Sequence, residues 1–312
     1  MPPPADSAAI LFPGALGDFV CFLPTLCALR ERHAGQLLLV AKSELLDLVE
    51  MPGLAAASID RREIADVFVA GGAIAPATAA LLGGFASVYS WTGFGNANFL
   101  QRLGVASRGA VGVYAFRGMR PAERAIDYYA HCVGVTPRSV VAARIRQDRD
   151  WLAACTRQRL DGQPTLVLHS GSGSPSKNWQ GFRSLTRYWS EHHAHVVVVL
   201  SGPAEARSDS QTNAGVVALD GLSLPQVAAL LAACDLYVGN DSGVSHLAGA
   251  VGARGVVLFG PTDPTAWAPR CARLQVIHAP TPCSDCAPGA FCVHRLPVDA
   301  VIDALQPLSV QP

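Results

Sequence analysis

The segment from Leu236 to Arg270 reads LYVGNDSGVSHLAGAVGARGVVLFGPTDPTAWAPR. Its apolar run Leu236–Val238 is typical of a buried strand, and Gly255–Phe259 is typical of a second one. Between them lie a cluster of turn residues, 239–243, and a small-residue helix over Val244–Val251. This order predicts a βαβ unit in which a tight turn leads from a strand directly into a helix.

The turn before this helix suits a phosphate group, because the first turn of a helix carries unpaired backbone N–H groups and a partial positive charge. Asp241 and Ser242 are also preferred N-cap residues, so the same pattern is compatible with a purely structural cap. His246, one turn inside the helix, would by itself more often be a structural histidine. The local pattern leaves both interpretations open.

The whole string from Gly239 to Trp267 resembles the signature of the ADP-heptose heptosyltransferases, which are family 9 glycosyltransferases of GT-B fold. In that family an Asp/Ser-Gly-x-Ser-His segment and a Phe-Gly-Pro-Thr-Asp-Pro loop line the nucleotide-sugar site. The resemblance therefore implies that the donor is contacted by Asp241, Ser242, Gly243 and His246.

Length and composition support two globular domains. The chain has 312 residues, half of them hydrophobic, which is enough for two cores of ordinary domain size. Lys and Arg together number 24, and so do Asp and Glu. Since a nucleic-acid-binding protein shows a basic surplus, we expect no nucleic-acid partner.

We expect a cytoplasmic protein, with peripheral contact to the inner face of the membrane left open. The N-terminal segment lacks the basic region of a signal peptide. The stretch Val67–Leu100 has no charged residue, but repeated glycines and a proline argue against a transmembrane helix. The nine cysteines are mostly scattered, which favours a reduced compartment.

The N-terminal segment predicts the first βα unit of a doubly wound sheet, with a strand over Ala8–Phe12 and a helix over Phe19–Arg32. The turn between them is not G-x-G-x-x-G, so no nicotinamide site is indicated. Asp18 either caps the helix or places a carboxylate where open α/β sheets bind ligands. The family resemblance adds that Gly14-x-x-Gly17-Asp18 matches a motif whose aspartate is the proposed catalytic base.

The rest of the first half is predicted to alternate strands with helical or irregular connections. Pro121–Gly134 is predicted as a helix, and Arg117, Arg120 and Arg124 are either a solvated charged face or a contact for an anionic acceptor. Further strands are predicted at Gln36–Val40, Ile64–Val69, Ala86–Tyr89 and Ala110–Val113.

The polar, basic segment Thr136–Arg149 is predicted to separate two domains. We expect an acceptor-side domain over residues 1–140, a donor domain over 150–295 and a closing C-terminal helix over 296–312. Both domains are expected to be Rossmann-like parallel sheets that face each other across a cleft.

A loop rich in glycine and serine follows the predicted strand Thr165–His169 and reads SGSGSPSKNW. Hydroxyl groups, backbone N–H groups and a lysine suit a diphosphate, although a flexible loop has the same composition. The spacing is not that of a P-loop. The family resemblance implies donor-phosphate contacts from Ser170, Ser172 and Lys177, and a nucleoside contact from Glu205.

The cysteines near the C-terminus begin with metal-ligand spacing: Cys283-x-x-Cys286, then Cys292 and His294. Cys271 or His294 would be the fourth ligand. The later spacing does not match common zinc sites, although autotransporter heptosyltransferases carry a cysteine-bound iron in this region. We expect no bound metal, and no cofactor to be required.

Together these features predict an inverting glycosyltransferase that moves a sugar from a nucleotide-diphosphate sugar, with ADP-heptose implied by the resemblance, to a lipopolysaccharide or other glycan or lipid-linked acceptor. The alternatives are a non-catalytic member that only binds a nucleotide sugar and a GT-B-like sugar-nucleotide epimerase. The acceptor stays open, because Gln36–Val113 contains few basic residues for a strongly acidic acceptor: Lys42, Arg61, Arg62, Arg102 and Arg108.

Overall fold

The computed structural model describes residues 6–138, 144–160, 162–202, 215–278 and 292–309. The chain forms two compact units, unit 1 over Met1–Arg144 and unit 2 over Ile145–Pro312. Each is a parallel sheet with helices, so the predicted α/β class is confirmed. None of the helices within the described ranges is long and apolar enough to cross a membrane.

Unit 1 is a five-stranded sheet in the order β3-β2-β1-β4-β5, with every pair parallel. The strands are β1 Ala8–Leu11, β2 Leu37–Ala41, β3 Leu54–Ser58, β4 Ser87–Ser90 and β5 Ala110–Val113. The helices are α1 Leu16–Arg32, α2 Ser43–Leu46, α3 Arg62–Asp66, α4 Pro76–Leu82, α5 Ala97–Ser107 and α6 Ala125–Cys132.

The strand order of unit 1 reverses between β1 and β4. Strands β1 and β2 are buried along their whole length, as expected for central strands covered by helices on both faces. The chain runs outward from β1 to β3 and then returns to the other side of β1 as β4. Ligands of open α/β sheets bind at the carboxyl ends of the strands at such a reversal.

Unit 2 is a six-stranded parallel sheet in the order β11-β10-β9-β6-β7-β8, which is the Rossmann order. Its strands are β6 Thr165–His169, β7 Val196–Ser201, β8 Val216–Asp220, β9 Leu236–Asn240, β10 Gly255–Phe259 and β11 Leu274–His278. Its helices are α7 Arg149–Cys155, α8 Phe182–His192, α9 Leu224–Ala233, α10 Gly243–Val251, α11 Pro264–Trp267 and α12 Val298–Ser309; a π-helical turn follows α7 at Thr156–Leu160, and 3-10 turns lie at Pro175–Lys177 and Val293–Arg295.

The C-terminal helix α12 packs into the core of unit 2. Its buried Val301, Ile302 and Leu305 join the same apolar cluster as Trp179 and Trp189. The Trp179 indole N–H also donates to the carbonyl of Leu296, at 2.8 Å, just before the helix begins. The last helix is therefore part of unit 2.

The predicted strand Ile64–Val69 is wrong, because this segment contains helix α3. Ile64 and Val67 are both buried, and their spacing of three places them on one face of a helical turn. The sequence analysis also missed β3, whose alanine-rich sequence has low intrinsic β-propensity and which pairs with β2 at the edge of the sheet.

The last edge strand, β11, was also missed. The helix predicted over Pro121–Gly134 begins only at Ala125. The turn before it includes Ala122 with a φ of 62°, which is left-handed and incompatible with a helix.

Candidate functional site

The loops predicted to bind the donor meet at the strand-order reversal of unit 2. Strand β6 pairs with β9, so that His169 lies opposite Gly239 at their carboxyl ends. The chain runs from β6 outward to β8 and returns as β9 on the other side of β6. The loop after β6 and the turn after β9 therefore begin side by side at one edge of the sheet.

Asn240, the last residue of β9, connects these two loops. Its side-chain oxygen accepts the backbone N–H of Trp179 at 3.1 Å, and its amide nitrogen donates to the carbonyl of Ser170 at 2.6 Å. Asn240 is fully buried, so these bonds replace water for both backbone groups. The sequence analysis did not single out Asn240; the available signal was a polar side chain ending an apolar strand.

Lys177 and Asp241 form an ion pair within this site. Lys177 Nζ donates to Asp241 Oδ2 at 2.6 Å. The aspartate side chain is 6% exposed and the lysine side chain is 28% exposed. The two residues were assigned to the donor site from separate motifs, and the fold brings them into direct contact. Their geometry offers an ammonium group whose position is set by a buried carboxylate.

Helix α10 begins at the predicted turn, with Gly243 as its first residue. Ser242 is the N-cap, and its hydroxyl accepts the backbone N–H of Ser245 at 3.3 Å. Asp241 lies one residue before the cap, and its carboxylate pairs with Lys177 and does not cap the helix. His246 is buried one turn inside the helix. The predicted cap at Ser242 is therefore present, its donor-binding role stays a prediction, and the first turn of α10 lies beside the ion pair.

A buried hydroxyl network lies under this turn. The Ser245 hydroxyl donates to the carbonyl of Asn240 at 2.5 Å and lies 2.8 Å from the Tyr237 hydroxyl. Gly239 makes this arrangement sterically feasible, since a Cβ there would lie 2.0 Å from the Tyr237 oxygen. His169 Nδ1 lies 3.4 Å from the Ser242 hydroxyl. These contacts fix the end of β9 against the start of α10.

Ser172 shapes the loop after β6. Its hydroxyl lies 2.6 Å from the carbonyl of Ser174 and 2.7 Å from Oδ1 of Asn178, and it accepts the backbone N–H of Ser174. A hydroxyl has one proton, so it donates to one of these oxygens at a time. The loop therefore holds its own conformation through Ser172. Glu205, the predicted nucleoside contact, lies outside the described residues.

In unit 1, Asp18 is paired with Arg117. Arg117 Nε donates to Asp18 Oδ1 at 3.0 Å and Nη2 donates to Oδ2 at 2.8 Å, a two-pronged contact across 99 positions of sequence. Asp18 lies in the first turn of α1, whose N-cap is Ala15 with no side-chain cap bond. The carboxylate is therefore held by the arginine and does not serve as a helix cap.

The glycine turn before Asp18 is required by close packing. A Cβ on Gly14 would lie 2.4 Å from the Phe12 ring and 2.7 Å from Cβ of Asp18. Gly17 is the second residue of α1. Arg120 is exposed, and its backbone N–H donates to the Glu123 carboxylate at 2.9 Å. Of the two arginines, Arg117 contacts the predicted base, Asp18. Among the described contacts, none joins Arg120 to Asp18.

The metal-ligand pattern near the C-terminus is largely outside the described residues, which exclude Cys283 and Cys286. Cys292 is buried, His294 is exposed, and the Cys271 thiol lies 3.7 Å from the carbonyl of Ala253. Among the residues described, no group of three His, Cys, Asp or Glu side chains is arranged to hold a metal ion.

Comparison with known proteins identifies the family of the chain and its fold. The model of glycosyltransferase family 9 (heptosyltransferase) matches residues 123–289, more than half of the chain. No curated protein matches the sequence. The match agrees with the resemblance read from the motifs at Gly239–Trp267.

Three solved structures are similar over almost their whole length. A family 9 glycosyltransferase from Veillonella parvula is 19% identical, with a TM-score of 0.77 and coverage of 100% of this chain and 99% of that one. The ADP-heptose lipopolysaccharide heptosyltransferase II of E. coli is 18% identical, with a TM-score of 0.73 and coverage of 98% and 99%. E. coli heptosyltransferase WaaC with ADP is 18% identical, with a TM-score of 0.66 and coverage of 97% and 99%. These likenesses confirm the predicted GT-B fold class.

Proposed function

Because the chain belongs to glycosyltransferase family 9 and is a glycosyltransferase, we propose that it transfers heptose, with inversion, from ADP-heptose to a hydroxyl group of a lipopolysaccharide or other glycan acceptor. Unit 2 supplies the donor site, and Asp18 of unit 1 is the general base. We propose that the reaction takes place in the cytoplasm and that the acceptor is a glycan or a lipid-linked molecule.

The observation that carries the donor assignment is the convergence of Lys177, the Ser170–Ser172 loop and the first turn of α10 at the strand-order reversal of unit 2. An ammonium group, hydroxyl groups and unpaired backbone N–H groups are the donors that a diphosphate requires. A solved structure of similar fold is a heptosyltransferase bound to ADP, which supports adenosine diphosphate as the carrier.

The proposed reaction exchanges two bonds at the anomeric carbon of the sugar. The acceptor oxygen forms a bond to that carbon, and the bond from the carbon to the diphosphate oxygen breaks. The hydroxyl proton passes to the Asp18 carboxylate, and ADP leaves with the electron pair. A base in hydrogen-bond reach is needed because a hydroxyl is a weak nucleophile at neutral pH.

Charge on the leaving diphosphate is proposed to be stabilised by Lys177 and by the backbone dipole of α10, with no metal required. Transfer should therefore continue in EDTA. Loss of activity in the chelator, restored by magnesium or manganese, would contradict this part of the proposal.

The test of the proposed function is a donor screen followed by a transfer assay. Calorimetry should rank ADP-heptose above UDP- and GDP-sugars, and the best donor should release its nucleotide when a core oligosaccharide acceptor is added. Tight donor binding without transfer to any acceptor would instead indicate a protein that only binds nucleotide sugars.

A further inference from the structure

The two side chains of the Arg117–Asp18 ion pair differ greatly in their exposure to solvent. Both carboxylate oxygens of Asp18 are bound, and its side chain is only 4% exposed. The Arg117 side chain is 56% exposed. The arginine therefore lies on the solvent side of the carboxylate. In this arrangement neither an acceptor hydroxyl nor a water molecule has open access to the proposed base.

The backbone on either side of Arg117 is held in place. The Tyr128 hydroxyl donates to the carbonyl of Ala115 at 2.5 Å, and the Phe116 ring packs edge-on against the buried Phe12 ring, 5.9 Å away. A Cβ on Gly118 would lie 2.7 Å from the Tyr128 oxygen, so this segment lies tightly against α6. Exposing Asp18 therefore requires rotation of the Arg117 side chain and not movement of its loop.

We propose that Arg117 is a latch on the general base, opened by an oxyanion of the acceptor. This inference rests on the proposed function and deepens it. A carboxylate or phosphate on the acceptor competes with Asp18 for the guanidinium group, whose planar N–H fork fits either oxyanion. Arg117 then turns onto the acceptor, and Asp18 becomes accessible to the hydroxyl that the same acceptor presents.

The physical consequence is selection against water. An accessible carboxylate would deprotonate water as well as a hydroxyl, and the donor would be hydrolysed to free heptose and ADP. The proton of the water would pass to Asp18, as the acceptor's proton does in transfer. While Arg117 occupies both oxygens, this wasteful reaction is suppressed. The base is released only when an acidic acceptor is bound.

The first test measures ADP release from ADP-heptose without acceptor. Arg117→Gln, which lacks the charge and the fork, should raise this hydrolysis about tenfold or more, up to the roughly 10²–10⁴-fold that a fully positioned base contributes. Arg183→Gln, at an exposed arginine on α8 that has no part in the proposed site, should leave it at the wild-type rate. The double variant Arg117→Gln/Asp18→Asn should return hydrolysis to background, which a merely structural disturbance would not do.

The second test identifies the oxyanion. The acceptor is a core oligosaccharide, used intact, with its carboxylates esterified, or with its phosphates removed enzymatically. The wild type should show a higher KM for the acceptor form that has lost the recognised group than for the intact acceptor. Arg117→Gln should show the same KM for both forms. A wild-type KM that rises on esterification assigns a carboxylate, and one that rises on phosphatase treatment assigns a phosphate.

The outcomes separate the latch from the proposed function. If Asp18→Asn abolishes transfer but Arg117→Gln hydrolyses no faster than wild type, the latch is wrong and the base assignment stands. If wild type transfers no sugar from any nucleotide donor, the proposed function itself fails. Should Arg117→Gln fold poorly, judged by its unfolding midpoint, Arg117→Lys keeps the charge and removes the fork, and a rise in hydrolysis is expected there too.

Discussion

The ammonium nitrogen of Lys177 lies 2.6 Å from a carboxylate oxygen of Asp241, which joins the loop after β6 to the turn after β9. The pair has no net charge, so a diphosphate here meets an ammonium group whose counter-ion is already present. Asp241 is almost fully buried, and its charge depends on Lys177 for compensation. The two side chains therefore act as one unit in donor binding.

We predict that Lys177→Ala raises the dissociation constant for ADP at least tenfold, because a charge-assisted contact contributes about 1.5–3 kcal/mol. The substitution also leaves the buried Asp241 carboxylate without its cation beside an anionic ligand. Isothermal calorimetry with ADP measures the effect. Unchanged affinity in this variant would remove Lys177 from the phosphate site.

The double variant Lys177→Ala/Asp241→Asn tests whether the pair is coupled. It should bind ADP more tightly than Lys177→Ala alone, since the repelling carboxylate is gone while the side-chain shape is kept. The Asp241→Asn single variant completes the cycle. Strictly additive losses across the cycle would mean that the ion pair has no part in donor affinity.

Asp18→Asn is predicted to lower turnover by about 100-fold or more, the scale of general-base catalysis, while ADP affinity stays within a few fold of wild type. The amide keeps one acceptor oxygen for Arg117, so the turn should keep its shape. Steady-state rates with saturating donor and acceptor measure the loss. A variant that turns over normally would place the base elsewhere.

Asn240→Ala is predicted to destabilise unit 2, because it removes the partners of the Trp179 N–H and of the Ser170 carbonyl in the core. An unsatisfied buried polar group costs about 1–3 kcal/mol. The loop that carries Lys177 should also lose its position, so ADP affinity should fall although Asn240 itself is buried.

The unfolding free energy of Asn240→Ala, measured in urea, and its ADP affinity, measured by calorimetry, should fall together. Ser190→Ala is a suitable control, since the Ser190 hydroxyl donates to the carbonyl of Arg187 on the same helix, α8, at 3.0 Å. Equal effects in the two variants would refute the connecting role of Asn240.

The histidines near the start of β7 predict loss of stability in mild acid. Burial lowers the pKa of His193 and of His195 below the ordinary value. The neighbouring histidines lower the pKa of His193 further, and Asp235 partly opposes the lowering at His195. The folded state therefore prefers neutral rings. Their contribution to stability is complete above the unfolded-state pKa of about 6.5 and is lost as pH falls below it.

Urea unfolding between pH 8 and pH 5 checks this expectation. The free energy of unfolding of wild type should fall on acidification through pH 6, and His193→Phe should show a shallower fall. Phenylalanine keeps the stack on Trp189, whose ring centroid lies 3.9 Å from that of His193, without a titrating group. An unchanged slope in this variant would contradict the assignment.

Local patterns in the sequence determined the α/β class and most of the elements. Apolar runs followed by glycine turns placed β1, β6, β9 and β10, because a buried strand and the turn after it are specified by neighbouring residues. The pattern failed where local preference was weak. The sequence LAAAS becomes strand β3 only through its pairing with β2, and the short apolar spacing around Ile64 is compatible with a strand or a helical turn.

The candidate site divides in the same way. Residue types such as Lys177, Ser242 and Asp18 could be identified as candidates from motifs, because each lies within a few residues of the end of a predicted strand. Their partners could not be. Lys177 meets Asp241 across 64 positions, and Asp18 meets Arg117 across 99, through strand orders that bring distant loops to one sheet edge. Contacts between loops depend on which strands are neighbours, and only the tertiary structure decides that.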